Sequence, residues 1–148
     1  MKNIRKVILL IIAGIVIVIQ FIPVDRTNPP VTADLWAPED VKEILKNSCY
    51  DCHSNETDWP WYSYVTPVSW LVSNDVNDAR RHLNFSDWEN MNMSARKKML
   101  DEIWEEIEGG EMPLSIYTFM HSDAKISDEQ LKFIFNWTQV AADSIPEN

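Results

Sequence analysis

The feature that most constrains the fold is the pentapeptide CYDCH at residues 49–53, which contains both cysteines of the 148-residue chain. Two thiols three residues apart, followed at once by an imidazole, form the Cys-x-x-Cys-His pattern of a haem attachment site. Each thiol can add to one vinyl group of a single porphyrin, and the imidazole then ligates the iron. We therefore predict one haem c, covalently held by Cys49 and Cys52, with His53 as the proximal ligand.

Three other chemistries use paired cysteines. A structural zinc site needs four ligands, and only His82 and His121 remain as further imidazoles. A thioredoxin-like redox pair belongs to a βαβ unit, which the sequence pattern does not indicate. A disulfide would leave His53 without a role. The disulfide nevertheless defines an alternative, in which the protein is a binding module without haem.

Residues 1–24 are predicted to form an N-terminal transmembrane helix that anchors the protein. Three basic residues precede an apolar run from Val7 to Ile22. As a helix, residues 7–24 would span roughly 27 Å, close to a hydrocarbon core of about 30 Å. No small-residue cleavage site follows closely, which favours an uncleaved anchor over a signal peptide. The basic flank places the N-terminus in the cytoplasm and the rest on the periplasmic side of the inner membrane, as a single-pass protein.

The remainder is predicted to be an extended linker, residues 25–37, and an all-α domain, residues 38–148. Apolar residues recur at helical spacing directly after Pro67, and no stretch alternates with period two. Ser94 is a candidate helix N-cap. Ser127, with a glutamine three residues later, is a candidate capping box. Four or five helices are expected.

The charge balance limits the partners. All 23 acidic residues follow Val24, and from Asp25 onward they outnumber 10 basic residues, a formal charge of −13. Such a surface repels phosphate backbones, which excludes nucleic acid as a partner.

The sixth iron ligand is predicted to be Met112. Methionine or histidine commonly lies opposite the proximal histidine in electron-transfer haem proteins. Met112 follows Gly109-Gly110 and precedes Pro113. Glycines allow the backbone to approach a flat ligand closely, and proline stiffens the loop that presents the sulfur. His121, Met120 and His82 remain open as alternatives.

Four aromatic residues follow the attachment site within about twenty residues: Trp59, Trp61, Tyr62 and Trp70. Large flat side chains pack well on a porphyrin and exclude water from it. We predict that these four line the haem pocket, although an ordinary aromatic core would use the same residue types.

Several segments together resemble a bacterial haem-binding domain family related to cytochrome c, whose members are commonly membrane-anchored or exported. The resemblance spans nearly all of residues 36–137. It implies a cytochrome c-like helical domain around the haem, and it implies that Met112, in a Met-Pro pair before the C-terminal helix, supplies the axial sulfur. The segments are CYDCHSN at 49–55, WPWY at 59–62, PVSW at 67–70, HLNFS at 82–86 and EMP at 111–113, with the stretch on to His121.

The predicted function is single-electron transfer by a membrane-anchored monohaem c-type protein, with unidentified redox proteins as partners and no catalysis of its own. A filled coordination sphere favours electron transfer over substrate chemistry. A peroxidase-like haem enzyme, or a haem-based gas or redox sensor, is the alternative if the sixth ligand is labile.

Overall fold

The structure, a computed structural model, describes residues 2–146, and over this range it contains helices and no strand. The prediction of an all-α chain is confirmed. Three short 3₁₀ turns supplement the α-helices, at Trp61–Tyr64, Phe85–Asn90 and Ser122–Ala124. The seven α-helices are α1 (Lys2–Ile19), α2 (Glu39–Ser48), α3 (Tyr50–His53), α4 (Val68–His82), α5 (Met93–Glu108), α6 (Ser115–Met120) and α7 (Asp128–Asp143).

Helix α1 differs from the predicted membrane-spanning helix. Among the described residues, none of the helices is both long enough and apolar enough to cross a bilayer. Helix α1 ends at Ile19, and its 18 residues include the basic N-terminal ones, whereas a membrane crossing needs about 20 predominantly apolar residues. Just beyond α1, the Gln20 side-chain amide exchanges two hydrogen bonds with the backbone of Thr66, at 3.0 and 2.9 Å.

The helix ends follow from local capping chemistry. Ser127 and Gln130 form the predicted capping box at the start of α7. The predicted N-cap Ser94 is wrong: α5 begins two residues earlier because the Asn92 side chain accepts a hydrogen bond from the Ala95 amide at 2.8 Å. The chain leaves α5 at Gly110, whose φ of +74° lies in the left-handed region that favours glycine.

The core is built by α2, α5 and α7. Helix α5 packs along α7, while α2 contacts both α7 and the short helix α3. Leu45, Leu100 and Ile134, one from each of these three helices, are almost completely buried. Helix α3, which carries most of the cysteine motif, is therefore held between α2 on one side and α4 on the other.

Residues 25–37 are extended, and they pack on the domain rather than running free. The backbone amides of Ala33 and Leu35 donate to the carbonyls of Ser86 and Phe85, at 3.0 and 2.8 Å. The Leu35 side chain is only 3% exposed. This segment therefore contributes to the core as well as connecting α1 to α2.

Arg80, near the end of α4, ties this extended segment to the loop after the cysteine motif. Its guanidinium donates to the carbonyl of Ser54 at 2.7 Å and to the hydroxyl of Thr57 at 2.8 Å. It also donates to the carbonyl of Thr27 at 2.9 Å and to the side-chain oxygen of Asn28 at 2.8 Å. One cationic side chain thus joins three separate segments.

We expect Arg80→Ala to lower the free energy of unfolding by about 2–3 kcal/mol, because several hydrogen bonds to a charged group are lost together. Urea unfolding followed by tryptophan fluorescence measures the change. Arg81→Ala is the matched control: the Arg81 side chain is 72% exposed and forms a surface ion pair with Asp78, so its removal should change stability by less than about 0.5 kcal/mol. Equal unfolding free energies for the two variants would contradict the role of Arg80.

Candidate haem site

A cavity of about 410 Å³ opens beside α3 and lies against α4, α5 and the start of α6. Its volume is within the range of about 300–1,000 Å³ that is usual for ligand sites. Cys49, Cys52 and His53 line it, and so does Met112 from the loop after α5. The three-dimensional fold therefore brings the predicted attachment residues and the predicted sixth ligand to one cavity.

The ring of His53 is oriented by the backbone of Leu83, the residue that directly follows α4. Its Nδ1 lies 3.0 Å from the carbonyl oxygen of Leu83. A carbonyl oxygen only accepts, so Nδ1 carries the proton and Nε2 keeps a free lone pair. Histidines that ligate metals usually donate their other ring N–H to a backbone carbonyl or a carboxylate in this way.

The protonation state of His53 suits the same role. Burial lowers the pKa of His53, and hydrogen bonds to the backbone carbonyls of Leu83 and Ala79 oppose the shift only in part. The imidazole is therefore neutral near pH 7, as a ligand nitrogen must be.

The two cysteines form no disulfide with each other. Burial raises the pKa of Cys49 to about 12 and that of Cys52 to about 11. For Cys52 the nearby carboxylates of Asp51 and Asp75 raise the pKa further, and Arg80 opposes them. Thiols that act in redox exchange have a lowered pKa instead. Residues 2–146 also contain no group of three or more His, Cys, Asp or Glu side chains placed to hold a metal ion. Neutral sulfur bonded to carbon, as in a thioether, suits this environment better than a thiolate.

Met112 is held at the cavity by the end of α5. Its backbone amide donates to the carbonyl of Glu106 at 3.1 Å, and the amide of Glu111 donates to the same carbonyl at 3.0 Å. The side chain is partly buried and packs against the hydrophobic core. The turn at Gly110 thus directs the following residues back towards the helices that form the cavity.

The three alternative sixth ligands are placed differently. His82 lines the cavity, but its side chain is largely exposed and its Nε2 lies 3.2 Å from Glu102 Oε2. His121 ends α6, with Nδ1 3.2 Å from the carbonyl of Tyr117. Neither His121 nor Met120 is among the described residues that line the cavity. Met112 remains the predicted sixth ligand.

The four predicted pocket aromatics lie elsewhere. None of them lines the cavity in the described part of the chain. Trp61 is 72% exposed and Trp70 is at the surface as well, while Tyr62 packs near His121 with ring centroids 6.0 Å apart. The indole nitrogen of Trp59 is buried and has no hydrogen-bond partner among the described residues. Contact between these residues and haem remains a prediction.

Other side chains form the apolar walls. Phe85 is almost fully buried at the cavity, and Tyr117 lines it from α6. Met99, Ile103 and Ile107 face it from α5. Their spacing of four residues puts them on one helix face, a signal that was readable in the sequence, whereas nothing in the sequence marked Tyr117.

The cavity also has an acidic side. Four carboxylate side chains line it, and no lysine or arginine does so within residues 2–146. Two come from α4 and two from α5: Asp75, Asp78, Glu102 and Glu106.

Over the described residues the protein is thus an all-helical domain in which one cavity presents two thiols, an oriented imidazole and a thioether. These donors suit haem iron and a porphyrin with vinyl groups. A family model described as a haem-binding domain matches residues 14–140 of the chain, and the protein belongs to that family. No curated protein and no solved structure matches the chain.

Proposed function

We propose that this haem-binding protein is a single-electron carrier related to cytochrome c, with one haem c attached covalently through Cys49 and Cys52. The observation that carries the proposal is the meeting of Cys49, Cys52, His53 and Met112 at one cavity. Bound haem would supply a reversible one-electron couple at its iron.

The chain's own residues have separate tasks in this proposal. The cysteines fix the position of the porphyrin, and His53, oriented by the carbonyl of Leu83, offers a neutral nitrogen. Met112 would offer a sulfur as a second protein ligand to the iron. Apolar side chains such as Phe85 and Ile103 line the cavity and limit the access of water, and solvent exposure is one of the factors that set the redox potential of a haem. If His53 and Met112 both hold the iron, substrates would have no free coordination site on it.

A redox titration followed by absorption spectroscopy tests this function. We expect the haem-loaded protein to take up one electron per chain in a single reversible step, and its reduced form to keep its spectrum unchanged under carbon monoxide. Both results would follow if His53 and Met112 both hold the iron. Rapid binding of carbon monoxide, together with peroxidase activity, would instead support the haem enzyme or gas sensor. A product that carries no haem, made in cells with the attachment machinery, would support the disulfide-bearing binding module.

The location of the protein is also a proposal: we place the haem domain outside the cytoplasmic membrane, with α1 holding it at the inner membrane. Every side chain from residue 3 to residue 18 is exposed, and most of them are apolar, a surface that favours lipid over water. The acidic side of the cavity favours a redox partner with a basic docking face. Fractionation of intact cells, with protease added to the periplasm, tests the location. Recovery of the protein in the soluble cytoplasmic fraction would refute it.

A further inference from the structure

One hydrogen bond joins the segment that carries Met112 to the helix that carries the cysteine motif. Tyr117, on α6, lines the cavity, and its hydroxyl donates to Asp51 Oδ2 at 2.7 Å. Asp51 lies on α3 between the two cysteines. Within residues 2–146, no other hydrogen bond connects residues 112–121 with α3.

Both ends of this bond are themselves held in place. The second carboxylate oxygen of Asp51 accepts from the amide of Asp58 at 3.0 Å, and its carbonyl accepts from the hydroxyl of Thr57 at 2.6 Å. The Tyr117 ring packs against the ring of His121 with centroids 4.3 Å apart. Neither side chain is free to adopt many other rotamers, so little entropy opposes the bond.

We infer that the Tyr117–Asp51 bond is a latch that presses the Met112 segment onto the attachment helix and so keeps the Met112 sulfur on the haem iron. The inference rests on the proposed function, in which Met112 is the sixth ligand. A thioether is a weak ligand, so its occupancy depends on how firmly the protein holds it. Tyr117 and Asp51 are positioning residues in this scheme.

The chemistry of the pair supports a permanent bond. Burial raises the pKa of Tyr117, and the hydrogen bond to the Asp51 carboxylate raises it further. The phenol therefore stays a neutral donor at any physiological pH. A hydrogen bond from a neutral hydroxyl to a carboxylate is short and strong compared with one between neutral groups.

Tyr117→Phe, in the haem-loaded full-length protein, tests the latch. Imidazole added to the ferric protein competes with the Met112 sulfur, so its apparent affinity reports how firmly that sulfur is held. We expect the affinity to rise about 10-fold, the equivalent of one lost charge-assisted hydrogen bond. Tyr64→Phe is the matched control, because Tyr64 is exposed and packs against Arg26, far from α6 in sequence. The imidazole affinity of this variant should equal that of the wild-type protein.

A double-mutant cycle distinguishes the loss of the Tyr117–Asp51 hydrogen bond from a general loosening of the protein structure. Asp51→Ala should raise imidazole affinity by a similar factor, and the double variant with Tyr117→Phe should add little to either single one. Additive effects would overturn the inference. If the sulfur-to-iron charge-transfer band is present in the wild type and Tyr117→Phe leaves imidazole affinity unchanged, the latch alone is refuted. If the wild type lacks that band, Met112 ligation is refuted and the latch with it.

Discussion

Replacing both Cys49 and Cys52 by serine is expected to abolish covalent haem attachment completely. A hydroxyl does not form the thioether links that the pattern requires, and no other cysteine exists in the chain to replace them. After expression with the attachment machinery, haem staining on a denaturing gel and the intact mass of the purified protein measure the loss. The wild-type mass should exceed that of the bare polypeptide by one haem.

The single variants Cys49→Ser and Cys52→Ser are the controls for this result. Each keeps one thiol, so each should retain at most one thioether link and show a shifted absorption maximum in the reduced form. Haem that survives denaturation in the double variant would show that the attachment is made elsewhere. A wild-type protein with the mass of the bare polypeptide would refute the proposal that haem c is attached to this chain.

Replacing Met112 by alanine is expected to have the next largest effect. The weak sulfur-to-iron charge-transfer band of the ferric protein should disappear, and the reduced protein should then bind carbon monoxide. Both follow from loss of the sixth ligand, which leaves one axial position open. The potential should also change, because the axial ligand is one of its main determinants.

The rival ligands provide the controls for Met112. His121→Ala and Met120→Ala should leave the band unchanged, since neither residue is among the described residues lining the cavity. His82→Ala is the sharper test, because His82 does line it. If His82→Ala loses the native spectrum and Met112→Ala keeps it, His82 rather than Met112 would be identified as the sixth ligand.

A chain of contacts connects the extended segment, residues 25–37, with the cysteine motif. Tyr50, between the two cysteines, stacks on Phe85 with ring centroids 5.1 Å apart and an angle of 11°. Its hydroxyl donates to Asp34 Oδ1 at 3.0 Å, and Lys42 bonds to Asp34 and to Tyr50. Residue 34 of the extended segment is thus connected, through Tyr50, to a wall of the cavity.

Much of the secondary structure was predictable from local chemistry. The start of α4 after Pro67 and the capping box at Ser127 depend on residues adjacent in sequence, so short-range physics was enough. The end of α5 at a glycine pair is of the same kind. The N-cap of α5 was misassigned because Asn92 and Ser94 are both competent caps, and only the packed helix selects between them.

The residues that line the cavity also fall into two groups: those that the sequence predicted and those that only the fold brings together. The chemistry of the pentapeptide at residues 49–53 can be predicted from the sequence alone, because its thiols and imidazole are neighbours in the chain and need no distant residue to be recognised. The walls are different: Phe85, Tyr117 and the α5 face come from three separate elements. Trp61 and Trp70 follow the motif closely in sequence and still lie at the surface, because closeness along the chain does not decide which side of a helix meets the cavity.

By itself, then, the sequence determined that this chain is helical, that it is acidic after its N-terminal segment, and that it carries the Cys-x-x-Cys-His pattern that predicts a haem attachment site. Only the tertiary structure decided that Met112 reaches that site, that Leu83 orients the ring of His53, and that Tyr117 bonds to Asp51. The first group of properties depends on residue type and short spacing. The second depends on how α3, α4, α5 and α6 pack, because each of these contacts joins residues that are about 30 or more positions apart in the chain and meet only when the core forms.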